Sequence, residues 1–292
     1  QLESEDTPEL PVAVRTARFL TADGATRTEV YWGVSPADAR LPIDEEGGPA
    51  VPSLIRFSAA RYNRDRSQVE RQNQRVQLHP HSGRQRPAVV SDPVAFEGPS
   101  LHHLSMQWTQ YQLRRVANGS VVGPGPKRRF ALVRSDSLRP LRAEGPLEMS
   151  DLKVLSLPDT ALKAVANPLE EATPFPFRTL TPETPLLLSF EVYHLTYGPD
   201  DRTDYRVSYA VKGEMRQGWT RLLRSQDTQQ TRTSMNRSGT ARRTDEMILL
   251  DLSELAGEKT TDVRVTVRVT DEQTGATASR SLDFVLRPGG GS

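Results

Sequence analysis

Two histidines, His79 and His81, are the side chains in this sequence whose spacing best suits a metal site. If residues 79–81 are extended, positions two apart point to the same side, so both imidazoles reach one metal ion. Such a site needs further ligands, and the neighbouring sequence supplies none. We therefore expect His79 and His81 to lie in a solvated loop, with metal binding as the alternative.

Three aspartates, Asp200, Asp201 and Asp204, bring together the hard oxygen ligands that calcium prefers. Their spacing differs from that of the known calcium loops. Aspartates that follow a proline are also typical of a turn closed by Asx hydrogen bonds. We predict a turn here, and calcium is the one cofactor that the residues suggest as an alternative.

Nucleophilic catalysis has a single local candidate, Ser82, which follows His81. Adjacency in sequence does not create the oriented base and third partner that a serine nucleophile requires. The sequence has no Gly-x-Ser-x-Gly elbow, no phosphate-binding glycine loop and no His-Glu-x-x-His segment. Paired carboxylates that cleave glycosidic bonds have no fixed spacing in sequence. We expect a protein that is not an enzyme, with a carbohydrate-active or other hydrolytic module as an alternative.

Basic residues concentrate between residues 56 and 86. This segment contains eight arginines and only two acidic residues, Asp65 and Glu70. Such an excess attracts an acidic protein, an anionic polysaccharide or nucleic acid, and a nearby aromatic ring can stack on a sugar or base. The alternative is a solvated edge strand, because charges also prevent unwanted strand pairing. The candidate partner surface consists of Arg56, Arg61, Tyr62, Arg64, Arg66, Arg71, Arg75, Arg84 and Arg86.

The composition of the whole chain narrows the class of partner. The formal net charge is +1 over 292 residues, which argues against a globally basic nucleic-acid-binding protein. Only five of the 38 basic residues are lysine, and arginine suits bidentate pairing with carboxylates. The absence of cysteine excludes disulfides, thiolate zinc sites and cysteine nucleophiles. No segment approaches the roughly 18 consecutive apolar residues of a membrane span.

The elements that must position these residues are β-strands. The clearest strand covers residues 262–271, where four valines alternate with Arg264, Thr266, Arg268 and Thr270, so that one face is apolar and the other polar. Residues 64–77 are predicted to be either an exposed strand or a short helix. Further strands are predicted at residues 12–20, 26–34, 53–63, 101–116, 130–134, 149–155, 186–195, 204–212, 247–252 and 279–286.

Turn residues predict three hairpins. Asp23-Gly24 joins the first two strands, because glycine accepts a positive φ and aspartate tolerates it. Residues 271–275, which include a glycine, join the valine strand to the last strand. Residues 196–203 are predicted to join strands 186–195 and 204–212 in the same way.

The spacing of the strands predicts an all-β protein built from two antiparallel β-sandwich domains of the immunoglobulin or fibronectin III type, with little helix. Residues 12–145 form the first domain and residues 186–287 the second. A proline-rich ordered linker with one crossing strand, residues 146–185, connects them. A flexible acidic segment, residues 1–11, and a flexible tail, residues 288–292, flank the domains.

Four segments carry a family resemblance. They are Thr26-Arg-Thr-Glu-Val-Tyr31, Met149-Ser-Asp-Leu152, Phe190-Glu-Val-Tyr-His-Leu195 and Asp251-Leu-Ser-Glu-Leu255. Together they resemble the β-sandwich regions of exported bacterial proteins grouped with GWxTD-domain proteins. The resemblance implies an exported, non-enzymatic β protein.

These observations lead to one expectation and two alternatives. We expect a non-catalytic binding or assembly protein that acts through sheet surfaces and edges, with another protein, itself or an anionic polysaccharide as its partner. A chain that starts with Gln1 and an acidic segment is also what signal-peptide removal leaves, so we expect a secreted, periplasmic or cell-surface location. The alternatives are a structural subunit of a surface filament or envelope complex and the hydrolytic module.

Overall fold

The computed structural model divides into two compact units. Unit 1 comprises residues 1–15 and 29–140, and unit 2 comprises residues 16–28 and 141–292. The structure describes residues 9–35, 53–62, 67–78, 89–90, 92–98, 103–116, 119–122, 128–134, 139–157, 172–181, 185–215, 228–250, 252, 255 and 260–288.

The fold is all-β and sandwich-like, as the alternating pattern predicted. No α-helix occurs among the residues given above. In that part of the chain, no helix has the length and apolarity needed to cross a bilayer.

Two sheets contribute to unit 1. The hairpin sheet consists of β1 (Ala13–Leu20), β2 (Thr26–Val34), β5 (Val89–Val90) and β6 (Val94–Gly98), and the tip of its first hairpin, residues 16–28, belongs to unit 2. The arginine sheet consists of β3 (Ser53–Tyr62), β4 (Gln68–Leu78), β7 (His103–Val116), β8 (Gly119–Val122) and β9 (Arg128–Arg134). The segment with two predicted alternatives, residues 64–77, therefore contains a strand, β4.

The core of unit 1 is an aromatic cluster between these two sheets. Trp32 of β2 lies 5.8 Å from Phe57 of β3 and 6.2 Å from Trp108 of β7, measured between ring centroids. Phe57 and Trp108 lie 5.0 Å apart, and all three side chains are fully buried. On β3, the side chains of Ile55, Phe57 and Ala59 are buried on the inner face. Since successive side chains of a strand point to opposite faces, the residues between them point to the outer face.

Two further sheets form unit 2. The leucine sheet consists of β10 (Glu148–Met149), β11 (Lys153–Ser156), β12 (Thr173–Pro174), β14 (Leu186–Tyr193) and β17 (Thr244–Leu250). The valine sheet has the order β13 (Thr179–Leu180), β19 (Thr277–Leu286), β18 (Thr261–Asp271), β15 (Thr203–Met215) and β16 (Thr228–Gly239).

The core of unit 2 lies between the leucine and valine sheets. All four valines of β18, at residues 263, 265, 267 and 269, are buried in it, together with Leu186, Leu188 and Phe190 of β14. The outer residues of β18 alternate with them, and the burial of this strand follows the predicted pattern along its whole length. The strict alternation is what a sheet with one face packed and one face solvated requires.

Two of the three predicted hairpins are confirmed and one is wrong. Gly24 has a φ of +82° in the first turn, and Gly275 has a φ of +71° between β18 and β19, which pair antiparallel. The prediction that residues 186–195 and 204–212 form a hairpin is wrong, because β14 and β15 belong to different sheets. Residues 194–202 carry the chain from one layer to the other, a connection that the alternation of a single strand cannot reveal.

Polar contacts within unit 2 anchor the tip of the β1–β2 hairpin. The Arg18 guanidinium donates two bonds of 2.7 Å to the Asp151 carboxylate, which also accepts the Arg18 backbone N–H at 3.0 Å. The hydrogen bond from Arg18 to Asp151 is the main reason why the pKa of Arg18 is raised. Gly24 fits beside Ala143, since a Cβ at position 24 would lie 2.9 Å from that methyl group.

The burial pattern predicts opposite outcomes for two leucines on neighbouring strands. Leu188→Ala should destabilise the protein by about 2–5 kcal/mol, because a fully buried side chain leaves a cavity. Leu249→Ala should change the free energy of unfolding by less than about 0.5 kcal/mol, because this side chain is 50% exposed. Urea unfolding followed by circular dichroism measures both. Equal effects would mean that β17 pairs with β14 in a register shifted by one residue.

Candidate partner-binding face

The outer face of the arginine sheet gathers basic residues from three strands. Arg56 lies between buried Ile55 and Phe57 and so points outward, where it is exposed. Arg75 of β4 is directly opposite Arg56, and Arg71 of β4 is opposite Ala60 of β3. On the other side of β3, Thr109 of β7 is opposite both Arg56 and Arg129 of β9. We call Arg56, Arg71, Arg75 and Arg129 the arginine face.

Strand geometry gives the dimensions of the arginine face. Arg75, Arg56 and Arg129 lie in one row that crosses four strands, β4, β3, β7 and β9. Neighbouring strands are about 4.8 Å apart, so the backbone positions of this row span about 14 Å. Arg71 and Arg75 are four positions apart on one strand, a separation of about 13 Å. The charges are thus spread over an area that suits a macromolecular partner.

The arrangement of charge is unfavourable for the protein by itself. Arg56 and Arg75 form a like-charge pair directly across two strands, a placement that destabilises a sheet by up to about 1 kcal/mol. The Arg56 guanidinium lies over the Tyr111 ring, 5.3 Å from its centroid, and this contact holds the side chain on the surface. Within the five strands, none of the outer positions whose side chains the structure describes carries a carboxylate. Glu9 adjoins the face at its rim, through an isolated bridge to Arg129.

The other predicted members of the partner surface have different positions. Arg61 is 9% exposed on the inner side of β3, where its Nε lies 3.6 Å from the Glu70 carboxylate, so it does not join the face. Tyr62 is half-buried and is the last residue of the same strand. Arg64, Arg66, Arg84 and Arg86 lie outside the described residues.

Sequence reasoning missed Arg129 and Tyr111. Both are far along the chain from the basic cluster, and only the register of β7 and β9 brings them beside Arg56. The available signal was the alternation in each strand, since Trp108 and Phe130 are opposite one another in the core and their neighbours must point outward. The alternation shows which residues of a strand point outward, but it does not show which residues of other strands lie next to them.

The aspartate candidates lie in or beside a turn, and the histidine candidates belong to a segment that is not described. His79 and His81 lie outside the described residues. Asp200 and Asp201 are exposed in the turn before β15, where Asp201 has a φ of +58°, and Asp204 lies 3.5 Å from the amide of Gln273. No group of three or more metal-ligating side chains occurs in the portion of the chain that the structure describes.

A buried aspartate, Asp271, closes the neighbouring turn. Its carboxylate accepts backbone N–H groups from Thr196 at 2.9 Å, Gln273 at 2.9 Å and Thr274 at 3.2 Å. These bonds satisfy a carboxylate that is 1% exposed. The oxygen atoms of this residue therefore serve the turn between β18 and β19.

His194 is half-buried and contacts the backbone. Its Nε2 lies 2.8 Å from the Arg142 carbonyl oxygen. The residue directly follows β14 and has a φ of +64°. This contact joins the end of β14 to the segment before β10.

Several carboxylates in unit 2 are paired with arginines or tyrosines. Arg280 of β19 donates to Glu148 at 2.9 Å and approaches Asp151 at 3.5 Å, so a positive charge separates the two acids. The Tyr205 hydroxyl donates to Glu246, and the Tyr193 hydroxyl donates to Glu191 at 2.7 Å. Such pairing stabilises the layers and leaves these carboxylates engaged.

No protein-family model matches the chain, and no curated protein matches its sequence.

The buried tyrosines predict a loss of stability at alkaline pH. Burial, followed by the hydrogen bond to Glu246, raises the pKa of Tyr205 to about 12, and burial also raises the pKa of Tyr193. The folded state thus keeps both phenols protonated. Their contribution is fully present below the unfolded pKa of about 10 and is lost as the pH rises through the folded values.

Thermal unfolding between pH 8 and pH 11 measures this effect. The unfolding temperature should fall above about pH 10, and Tyr205→Phe should make that fall shallower. A wild-type unfolding temperature that is constant over this range would contradict the assignment.

Proposed function

We propose that this protein is a non-catalytic binding or assembly protein that holds an acidic protein segment, from another protein or a second copy, on the arginine face. The observation that carries the proposal is the row of Arg75, Arg56 and Arg129 together with Arg71, on outer positions without a carboxylate in the described part of the sheet. Binding rather than chemistry fits this surface, because guanidinium groups remain charged and make poor acid–base groups.

The unfavourable charge arrangement supports this proposal. A like-charge pair such as Arg56 and Arg75 costs stability in the free protein, and local rules are most often broken at functional sites. An acidic partner relieves the repulsion and gains charge-assisted hydrogen bonds to the same guanidinium groups. The spread of positive charge also speeds the encounter with a negative partner at low salt.

The shape of the surface supports an extended partner over a small ligand. The arginine face lies on the outer side of a pleated sheet, and its backbone positions span about 13–14 Å, both along β4 and across the strands. An acidic peptide in an extended conformation repeats its side chains on one face about every 6.8 Å, so alternate acidic positions on that face match this separation. Arginine forks pair with such carboxylates in a bidentate manner.

The location of this activity is part of the proposal. The four segments that resemble exported bacterial proteins support a site of action outside the cytoplasm, in the periplasm or at the cell surface. Cell fractionation with an antibody against the protein tests it, and recovery in the cytoplasmic fraction would contradict it.

Self-assembly as a structural subunit of a filament or envelope complex is the second candidate, and it rests on β17. This strand pairs with β14, and no strand pairs with its other side in the described residues. Met247 and Leu249 on its outer face are 38% and 50% exposed. An open strand edge with apolar side chains is a common site of strand addition between chains.

The arginine face predicts a specific loss of binding. A fluorescent acidic peptide of about ten Glu and Asp residues should bind the wild type, and the variant Arg56→Gln/Arg75→Gln should bind it roughly tenfold more weakly. Two surface ion pairs of about 0.5–1 kcal/mol each account for this factor. Fluorescence anisotropy at low salt and at 0.15 M salt measures the affinity and its screening.

Two controls separate this effect from general charge and from unfolding. The variant Arg202→Gln/Arg287→Gln removes the same charge from exposed positions of unit 2 and should keep wild-type affinity. Arg56→Gln/Arg75→Gln should be as stable as the wild type or slightly more stable, because a repulsive pair is removed. Equal weakening by both double variants would refute a specific face.

The β17 edge predicts a change in molecular mass if assembly occurs. The wild-type mass from light scattering should rise with protein concentration, and Leu249→Lys should keep the protein monomeric, because a charge on the apolar edge opposes strand addition. A monomeric wild type at all concentrations would remove this second candidate.

A further inference from the structure

The outer face of the valine sheet has a concavity with a volume of about 430 Å³. Four cationic side chains, from Lys212, Arg232, Arg264 and Arg268, line it together with hydroxyl groups such as those of Ser208 and Ser234. It lies in unit 2, on strands other than those of the arginine face. The inference drawn from it is therefore independent of the function proposed above.

The register of β16, β15 and β18 explains why the face is concave at this point. Ala210, in the middle of β15, is opposite Arg232 on one side and Thr266 on the other. In the adjacent rows, Lys212 is opposite Arg264, and Ser208 is opposite Arg268. A methyl group in the centre with long side chains around it leaves a depression whose floor is Ala210.

The charges around the depression favour an anion of low charge. Lys212 forms an ion pair with Glu214, and the Arg264 Nε lies 2.7 Å from the Asp283 carboxylate. The hydrogen bond that Arg264 donates to Asp283 is the main cause of the raised pKa of Arg264. Both carboxylates lie outside the lining, and Arg268 has no ion pair among the residues that the structure describes. Arg268 therefore offers its positive charge to one anionic group of a ligand.

The hydroxyl groups narrow the class of ligand further. Ser208 and Ser234 are opposite each other on β15 and β16, and their hydroxyls both donate and accept hydrogen bonds. A ligand that has its own hydroxyl groups can both donate to and accept from these serines, whereas a simple carboxylate can only accept. The volume falls within the range of about 300–1,000 Å³ that is usual for small-molecule sites.

We infer that this concavity binds an acidic sugar, a ligand with one carboxylate and several hydroxyl groups. The carboxylate lies against the guanidinium group of Arg268, which presents a planar fork of the geometry that carboxylates accept. The sugar hydroxyls face Ser208 and Ser234, and the ring lies over Ala210. The free monosaccharide and a unit within an anionic polysaccharide present the same chemistry.

The test uses the full chain and four probes in isothermal titration calorimetry. Galacturonate should bind with a Kd of about 1 mM or below, and galactose, which lacks the carboxylate, should bind at least about tenfold more weakly. Acetate, which lacks the hydroxyls, should also bind at least about tenfold more weakly. Trigalacturonate distinguishes the two sources of the ligand. A higher affinity than that of galacturonate indicates a unit within a polysaccharide, and an equal affinity indicates the free sugar.

Two variants test the position of the site. Arg268→Gln removes the proposed carboxylate partner and should weaken galacturonate binding about tenfold. Ala210→Phe fills the floor without changing the charge and should abolish binding. Arg287→Gln removes one charge from an exposed position on the same chain and should leave the affinity unchanged. Circular dichroism of each variant before titration shows that it is folded.

Three results would overturn the inference. The first is an absence of galacturonate binding at about 10 mM, and the second is equal affinity for acetate and galacturonate. The third is a galacturonate affinity that Ala210→Phe leaves unchanged. Failure of acidic-peptide binding at the arginine face would leave this inference intact, because the two surfaces are tested with different probes and different variants.

Discussion

The two-residue repeat of the β-strand, with one side packed against a second layer, is the constraint on which the structure depends. Once Val263 and Val265 are buried, the residues between them must point outward, and the same holds for Arg56 between Ile55 and Phe57. A slip of one residue would bury arginines and expose the core, so the register is strongly specified. The alternation that buries the core residues therefore also places the side chains of both candidate surfaces on the outer faces of their sheets.

The arginines of this chain fall into two groups with different consequences. Arg18 and Arg280 point towards carboxylates of the unit 2 framework, and their hydrogen bonds connect elements that are distant in sequence. Arg56 and Arg75 instead face each other across two strands and repel. Both groups contain the same side chain, and the direction in which each strand residue points decides which role it has. Arginine serves both roles because it stays charged and donates in a fixed fork.

The two candidate surfaces differ in how their charge is balanced. None of the described outer positions of the arginine sheet carries a carboxylate, whereas the concavity of the valine sheet has Glu214 and Asp283 beside Lys212 and Arg264. Unbalanced charge on an outer sheet face favours an extended polyanion, because several separated contacts are needed to neutralise it. Partly balanced charge around a depression favours a small ligand that adds one negative group.

The sequence by itself determined the fold class, most strand positions and the inward or outward direction of residues such as Val267 and Arg268, because period-two alternation is a local property. It also showed that Arg56, Arg71 and Arg75 belong to one basic segment of the chain. Only the tertiary structure decided that Arg129 joins them, that Arg61 turns inward to Glu70, and that β14 and β15 enter different sheets. Register and layer depend on contacts between segments that are far apart in the chain, and no local pattern contains that information.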